Sequence, residues 1–148
     1  MPDYFYGLIV KTANAAGAKC IVDTSRSALQ ALKGRGAYLI KPNISELRKL
    51  LNSPDLGPME IDDAAQQVIA DGYAEIAAIS MGPQGRWIVS KDEKYFVTAP
   101  KAEKRSTVGA GDSMVAGLTS MLLLQKSLKE AVAFGMACST AATMNAGT

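Results

Sequence analysis

Residues 107–113 read TVGAGDS: two glycines and an alanine directly before an acid, at the point where a long helical pattern begins. An exposed helix N-terminus offers backbone N–H groups without intrahelical partners and about half a positive charge, which suits an anion. Gly109 and Gly111 leave those amides bare, so a phosphate can approach without meeting a side chain. A carboxylate at Asp112 would repel that phosphate unless it has work of its own. General base catalysis is work that fits: the acid accepts the proton of an attacking hydroxyl while amides at Gly109, Ala110 and Gly111 stabilise the transferred group. The same residues also read as an N-cap aspartate and a glycine turn, with no chemistry.

Other glycine loops fail here. The dinucleotide fingerprint wants a third glycine where Met114 stands, and no GxxxxGK[ST] occurs. The chain has no histidine, which removes Ser-His-Asp and Cys-His dyads and most catalytic zinc sites. Acid-base work falls to carboxylates or lysines. Cys20 and Cys138 lie far apart and in no metal-ligand spacing, which fits a reduced, cytoplasmic protein. A net charge of +2, from acids and bases scattered in ones and twos, gives no basic stripe for nucleic acid. The start has no secretory pattern, and the apolar runs near the end fall short of the ~20 residues a membrane helix needs. A soluble protein with no membrane or nucleic-acid partner is expected.

The elements that must position the loop follow from periodicity. With 148 residues, 48% of them hydrophobic, the chain suits one globular domain with a real core. Spacing predicts a helix over 3–16, a buried parallel strand over 19–23, a helix over 25–33 and a strand over 38–41 that Pro42 ends. A helix over 44–52, a loop over 53–58, a helix over 59–72 and a buried strand over 75–81 come next. Residues 85–90 and 94–99 flank the polar tip KDEK as an antiparallel hairpin, and helices over about 112–125 and 128–145 finish the chain. The alternation implies an α/β fold: a Rossmann-like three-layer α/β/α arrangement with a mostly parallel sheet and a C-terminal antiparallel hairpin.

The stretches STVGAGDSM, KPNISEL and ISMGPQG, in this order and at these intervals, resemble the C-terminal part of the ribokinase-like (PfkB) carbohydrate kinases. The resemblance covers nearly the whole chain, and the ending AATMNAGT is most similar to members acting on fructose 6-phosphate. It implies ATP and Mg2+ as cofactors, with K+ in addition. Asp112 would be the catalytic base, and Gly109, Ala110 and Gly111 the anion hole for the γ-phosphoryl group. Asn43 and Glu46 match the family's NxxE motif, which holds magnesium and its waters; the same pair also reads as a capping box. Lys41 would lie in the nucleotide site, as would Ser80, Gly82, Pro83, Gln84 and Gly85, whose other reading is a tight turn. Met136 and Thr140 would border the adenine or simply pack the core. Ser106, Val108, Ala142, Asn145 and Gly147 would surround a monovalent cation, largely through backbone carbonyls.

The family's N-terminal half, with its small lid and most of its sugar-gripping residues, has no counterpart in residues 1–148, nor has its final helix. The sequence is therefore expected to supply the nucleotide-binding and catalytic part of a kinase domain, with little activity alone. An exposed sheet edge would favour a homo-oligomer. The implied reaction is phosphorylation of fructose 6-phosphate to fructose 1,6-bisphosphate, a glycolytic step. Tagatose 6-phosphate and fructose 1-phosphate are alternative sugar-phosphate substrates. An inactive nucleotide-binding fragment, or a domain used only for assembly, stands as the non-enzymatic alternative.

Overall fold

The computed structural model describes residues 2, 4–103 and 105–146. The chain forms two compact units, Met1–Phe96 and Val97–Thr148.

A five-stranded sheet whose order follows the chain lies in the first unit, apart from the last two residues of its final strand. Its strands are β1 (Ile21–Val22), β2 (Ala37–Ile40), β3 (Ala74–Ser80), β4 (Gly85–Ser90) and β5 (Lys94–Thr98). β1, β2 and β3 run parallel and β4 runs antiparallel to β3, so the sheet is mixed. Residues 91–93 form the hairpin tip, where the Ser90 N–H donates to the Glu93 carbonyl at 2.8 Å. The tip is a residue shorter than KDEK because Lys94 already belongs to β5.

Four helices accompany the sheet: α1 (Phe5–Ala15), α2 (Arg26–Gln30), α3 (Ile44–Leu51) and α4 (Ile61–Ala70). Val22 pairs with Ile40, Ile40 with Ala77 and Ala77 with Val89, a row on one face of the sheet. That row is buried together with Val10, Leu29, Leu47, Ala65 and Val68, one or more from each helix. Fully burying each larger aliphatic side chain stabilises the fold by about 1.5–3 kcal/mol. The 3.6-residue spacing of apolar positions thus fixes which side of each helix meets the sheet.

Several expected boundaries move. β1 is two residues long and lies at the edge of the sheet with Ile21 only half-buried, so it is not the buried strand expected over 19–23. α2 stops at Gln30 because the next turn tightens to i→i−3 bonds, Leu32 N–H to Leu29 and Lys33 N–H to Gln30. Residues 58–60 form a 3₁₀ turn, and α4 starts only at Ile61. Pro42 does not end pairing. A proline loses its donor and keeps its acceptor, so its carbonyl takes the Ser80 N–H at 2.9 Å, and Asn43 makes a further parallel bridge to Ser80.

The second unit contains α5 (Ala110–Leu123) and α6 (Leu128–Thr143). Ser127 and Glu130 cap α6 reciprocally: Ser127 Oγ accepts from the Glu130 N–H at 3.3 Å, and Glu130 Oε2 from the Ser127 N–H at 3.0 Å. The two helices approach closely at their glycines. A Cβ on Gly135 would stand 2.8 Å from the Met114 carbonyl oxygen, and one on Gly117 2.7 Å from Cys138 Sγ. Among the described residues no helix is long and apolar enough to cross a membrane.

Candidate functional site

Because β1, β2 and β3 are parallel, their carboxyl ends share one edge, where open α/β sheets place ligands. Asp23 follows β1, Lys41 follows β2 and Ser80 closes β3. Ile21 pairs with Leu39 and Leu39 with Ile76; the two-residue period carries that face onward to Asp23, Lys41 and Ser80. Lys41 Nζ lies 2.9 Å from Asp23 Oδ2, with the lysine side chain only 12% exposed. A largely buried ammonium requires a counter-charge, and Asp23 provides it while fixing the lysine on the edge.

Across the antiparallel pairing, Ser80 faces Arg86, which adds a second cation to the same face of the sheet, one step beyond the level of Lys41. Arg86 Nη1 is buried and has no hydrogen-bond partner among the described residues. Burial pushes the Arg86 guanidinium pKa down, and the nearby Asp23 charge opposes that shift.

Asn43 and Glu46 form a capping box at the start of α3. Asn43 Oδ1 accepts the Glu46 N–H at 3.0 Å and Glu46 Oε2 accepts the Asn43 N–H at 2.9 Å. The capping alternative therefore holds, and it engages one of the two carboxylate oxygens. Both residues line a cavity of about 280 Å³ with Ser25, Arg26 and Lys49. Ligand sites typically measure ~300–1,000 Å³, so this cavity does not enclose a nucleotide by itself.

After β3 the chain turns through a 3₁₀ segment, Gly82–Gln84, and re-enters the sheet at Gly85. Pro83 is the middle residue of that segment, and the Met81 N–H donates to the Gly85 carbonyl at 2.9 Å. Gly85 has φ 140°, a conformation that a Cβ would strain. Gly82, Pro83 and Gln84 are all exposed and Gly85 is buried. The turn reading is thus correct, and it presents bare backbone next to Ser80.

In the second unit the glycine loop enters α5 earlier than expected. Gly109 is the N-cap, left-handed at φ 73°, so Ala110, Gly111 and Asp112 occupy the first turn. A residue without a Cβ takes that conformation freely, and the helix starts at Ala110 rather than 112. The Ser113 N–H donates to Gly109 and the Ala110 N–H makes a long bond, 3.4 Å, to Thr107. Among the described residues the amides of Gly109, Gly111 and Asp112 have no partner. Asp112 is exposed and makes no cap bond, so it is not the N-cap of the chemistry-free reading. Among the described residues this carboxylate and these amides have no partners, and they stand together at the positive end of a long helix.

The loop before α5 is tied to the end of α6: the N–H groups of Arg105 and Ser106 both donate to the Thr143 carbonyl, at 2.8 and 3.1 Å. Val108 is held to Ser106 through N–H to Oγ at 3.2 Å. Ser106 and Val108 are thereby brought to the helix end that carries Ala142 and Asn145, where the Asn145 N–H donates to the Ala142 carbonyl at 3.3 Å. Gly147, the remaining member of the expected cation set, lies outside the described residues. Met136 is buried at 5% exposure, which is the packing alternative. Thr140 Oγ1 donates to the Met136 carbonyl at 2.9 Å, within its own helix.

A model of the pfkB family of carbohydrate kinases matches residues 2–148. The chain belongs to that family. It is 41% identical over 141 residues to the ATP-dependent 6-phosphofructokinase isozyme 2 of Escherichia coli strain K12, covering 95% of this chain and 46% of that protein. It is 34% identical over 145 residues to the 1-phosphofructokinase of Xanthomonas campestris pv. campestris, covering 92% and 45% respectively. A crystal structure of E. coli phosphofructokinase-2 in complex with potassium superposes on all of this chain and 48% of that one, with a TM-score of 0.90 and 39% identity. The chain spans about half the length of the curated pfkB relatives it matches. The ribokinase-like fold expected from the sequence is the fold of this family member.

Sequence reasoning did not find Asp23 or Arg86. Asp23 had a readable signal, since it stands directly after an apolar β-branched run, at the carboxyl end of a parallel strand. Arg86 had none, because only the register opposite Ser80 reveals its place.

Proposed function

We propose that residues 1–148 form the nucleotide-binding and catalytic part of a ribokinase-like domain that transfers phosphate from ATP to a sugar-phosphate hydroxyl. The observation that carries this is the start of α5, where amides of Gly109, Gly111 and Asp112 with no partner among the described residues adjoin the exposed Asp112 carboxylate. Fixed N–H dipoles at a helix N-terminus need no reorganisation as charge builds on the transferring group. Asp112 accepts the proton of the attacking hydroxyl, and the bare Gly109 keeps the approach open, since among the described residues no atom beyond its two chain neighbours lies within 4 Å of where its Cβ would stand.

In this reading Lys41 and Ser80, with the exposed backbone of Gly82, Pro83, Gln84 and Gly85, bind the nucleotide. Magnesium fits Glu46 through the carboxylate oxygen left free by the capping box, with Asn43 beside it and water completing its shell. Bound there, it would neutralise phosphate charge. Potassium fits carbonyl oxygens near Ser106, Val108 and Ala142, which the Thr143 hydrogen bonds gather at one helix end.

Fructose 6-phosphate is the proposed acceptor, from the name of the 41%-identical relative; fructose 1-phosphate is supported by the other relative's name. The test is ADP formation with each sugar phosphate, by the chain alone and with an added half that supplies acceptor-binding residues. Turnover restored by the added half and abolished by Asp112→Asn is expected. Turnover surviving that substitution would overturn the role given to Asp112.

A further inference from the structure

We propose that Arg86, paired with Lys41 on the carboxyl edge of the sheet, is a polyphosphate-binding residue of this chain, with Asp23 as the anchor that sets the two cations in place. The inference rests on the nucleotide reading only in naming ATP as the natural ligand; the recognition itself is anion chemistry.

Asp23, Lys41, Ser80 and Arg86 stand on one face of four neighbouring strands, as the registers Ile21–Leu39, Leu39–Ile76 and Ser80–Arg86 require. Two cations share a single anion there. Lys41 takes Asp23 at 2.9 Å, whereas Arg86 makes no ion pair with it. The result is a surplus positive charge and a buried guanidinium Nη1 without a partner among the described residues. Buried polar groups in native proteins are nearly always satisfied, and leaving a charged donor unmet is costly. A ligand with several negative oxygens removes that cost. The planar fork of arginine suits phosphate oxygens two at a time, and the lysine adds a compact charge beside it. Arg86 also lies two residues beyond the exposed backbone turn Gly82–Gln84, so a bound phosphate chain would meet open amides and the fork together.

Titration of the full chain with tripolyphosphate, with MgATP and with adenosine, in wild type, Arg86→Met and Arg86→Lys, tests this. Arg86→Met is expected to weaken tripolyphosphate and MgATP by roughly tenfold or more, the scale of a lost charged hydrogen bond, and to leave adenosine unchanged. Arg86→Lys, which keeps the charge and loses the fork, should fall between them; it carries the test alone if Arg86→Met does not fold. Equal affinities in all three proteins, with MgATP bound, would overturn the inference and leave the nucleotide reading standing. Tripolyphosphate binding that depends on Arg86 without any MgATP binding would support the inference and remove the nucleotide reading. Wild type binding neither ligand would end both.

Discussion

Asn43 and Glu46 hold each other: the asparagine Oδ1 takes the Glu46 N–H at 3.0 Å while the glutamate Oε2 takes the Asn43 N–H at 2.9 Å. The pair proposed for magnesium therefore already starts α3, and its two roles are separable. Glutamine also closes a capping box, so Glu46→Gln should leave unfolding free energy within about 0.5 kcal/mol while weakening magnesium-dependent nucleotide binding. Asn43→Ala should cost about 1 kcal/mol. Denaturant unfolding of both variants beside MgATP titration separates cap from metal; equal destabilisation with unchanged MgATP affinity would leave only the cap.

Tyr95 gives a prediction about alkaline pH. Its hydroxyl is buried without a partner among the described residues, and burial, assisted by Glu93, pushes its pKa to about 12. The unfolded tyrosine ionises near pH 10, whereas the folded one stays neutral. The stabilisation is complete below about pH 10 and is lost as pH rises toward 12, because there the unfolded state binds fewer protons. Tyr95→Phe should remove that decline and, by deleting an unsatisfied hydroxyl, add about 1 kcal/mol at neutral pH. Unfolding curves at pH 7 and above pH 10 check both.

Gly135 is fixed by space. A Cβ there would lie 2.8 Å from the Met114 carbonyl, backbone that cannot swing aside. Gly135→Ala should force α5 and α6 apart and destabilise the chain by about 1–3 kcal/mol. A melting temperature equal to wild type would contradict the close crossing.

Much of the fold was legible in the sequence because buried positions repeat with the period of their element. The row Val22, Ile40, Ala77 and Val89 lies in apolar runs that read directly as strands. The ends of elements were less legible. The start of α5 depends on one left-handed glycine, and the end of α2 on a switch to tighter hydrogen bonds, neither of which leaves a periodic trace. At the candidate site the glycine loop and the Asn43–Glu46 pair were visible because their partners are close in sequence. The Lys41–Asp23 pair and the Arg86 position were not, because they join residues brought together only by strand register.

Calorimetric titration of the chain with MgATP, wild type beside Asp112→Asn, is the most direct measurement of whether free amides at the α5 N-terminus seat a phosphate next to a proton acceptor. Saturable binding is predicted in both proteins, with Asp112→Asn at least as tight, because a carboxylate beside a phosphate repels it. Absence of saturable binding in wild type, or a loss of tenfold or more on Asp112→Asn, would contradict it.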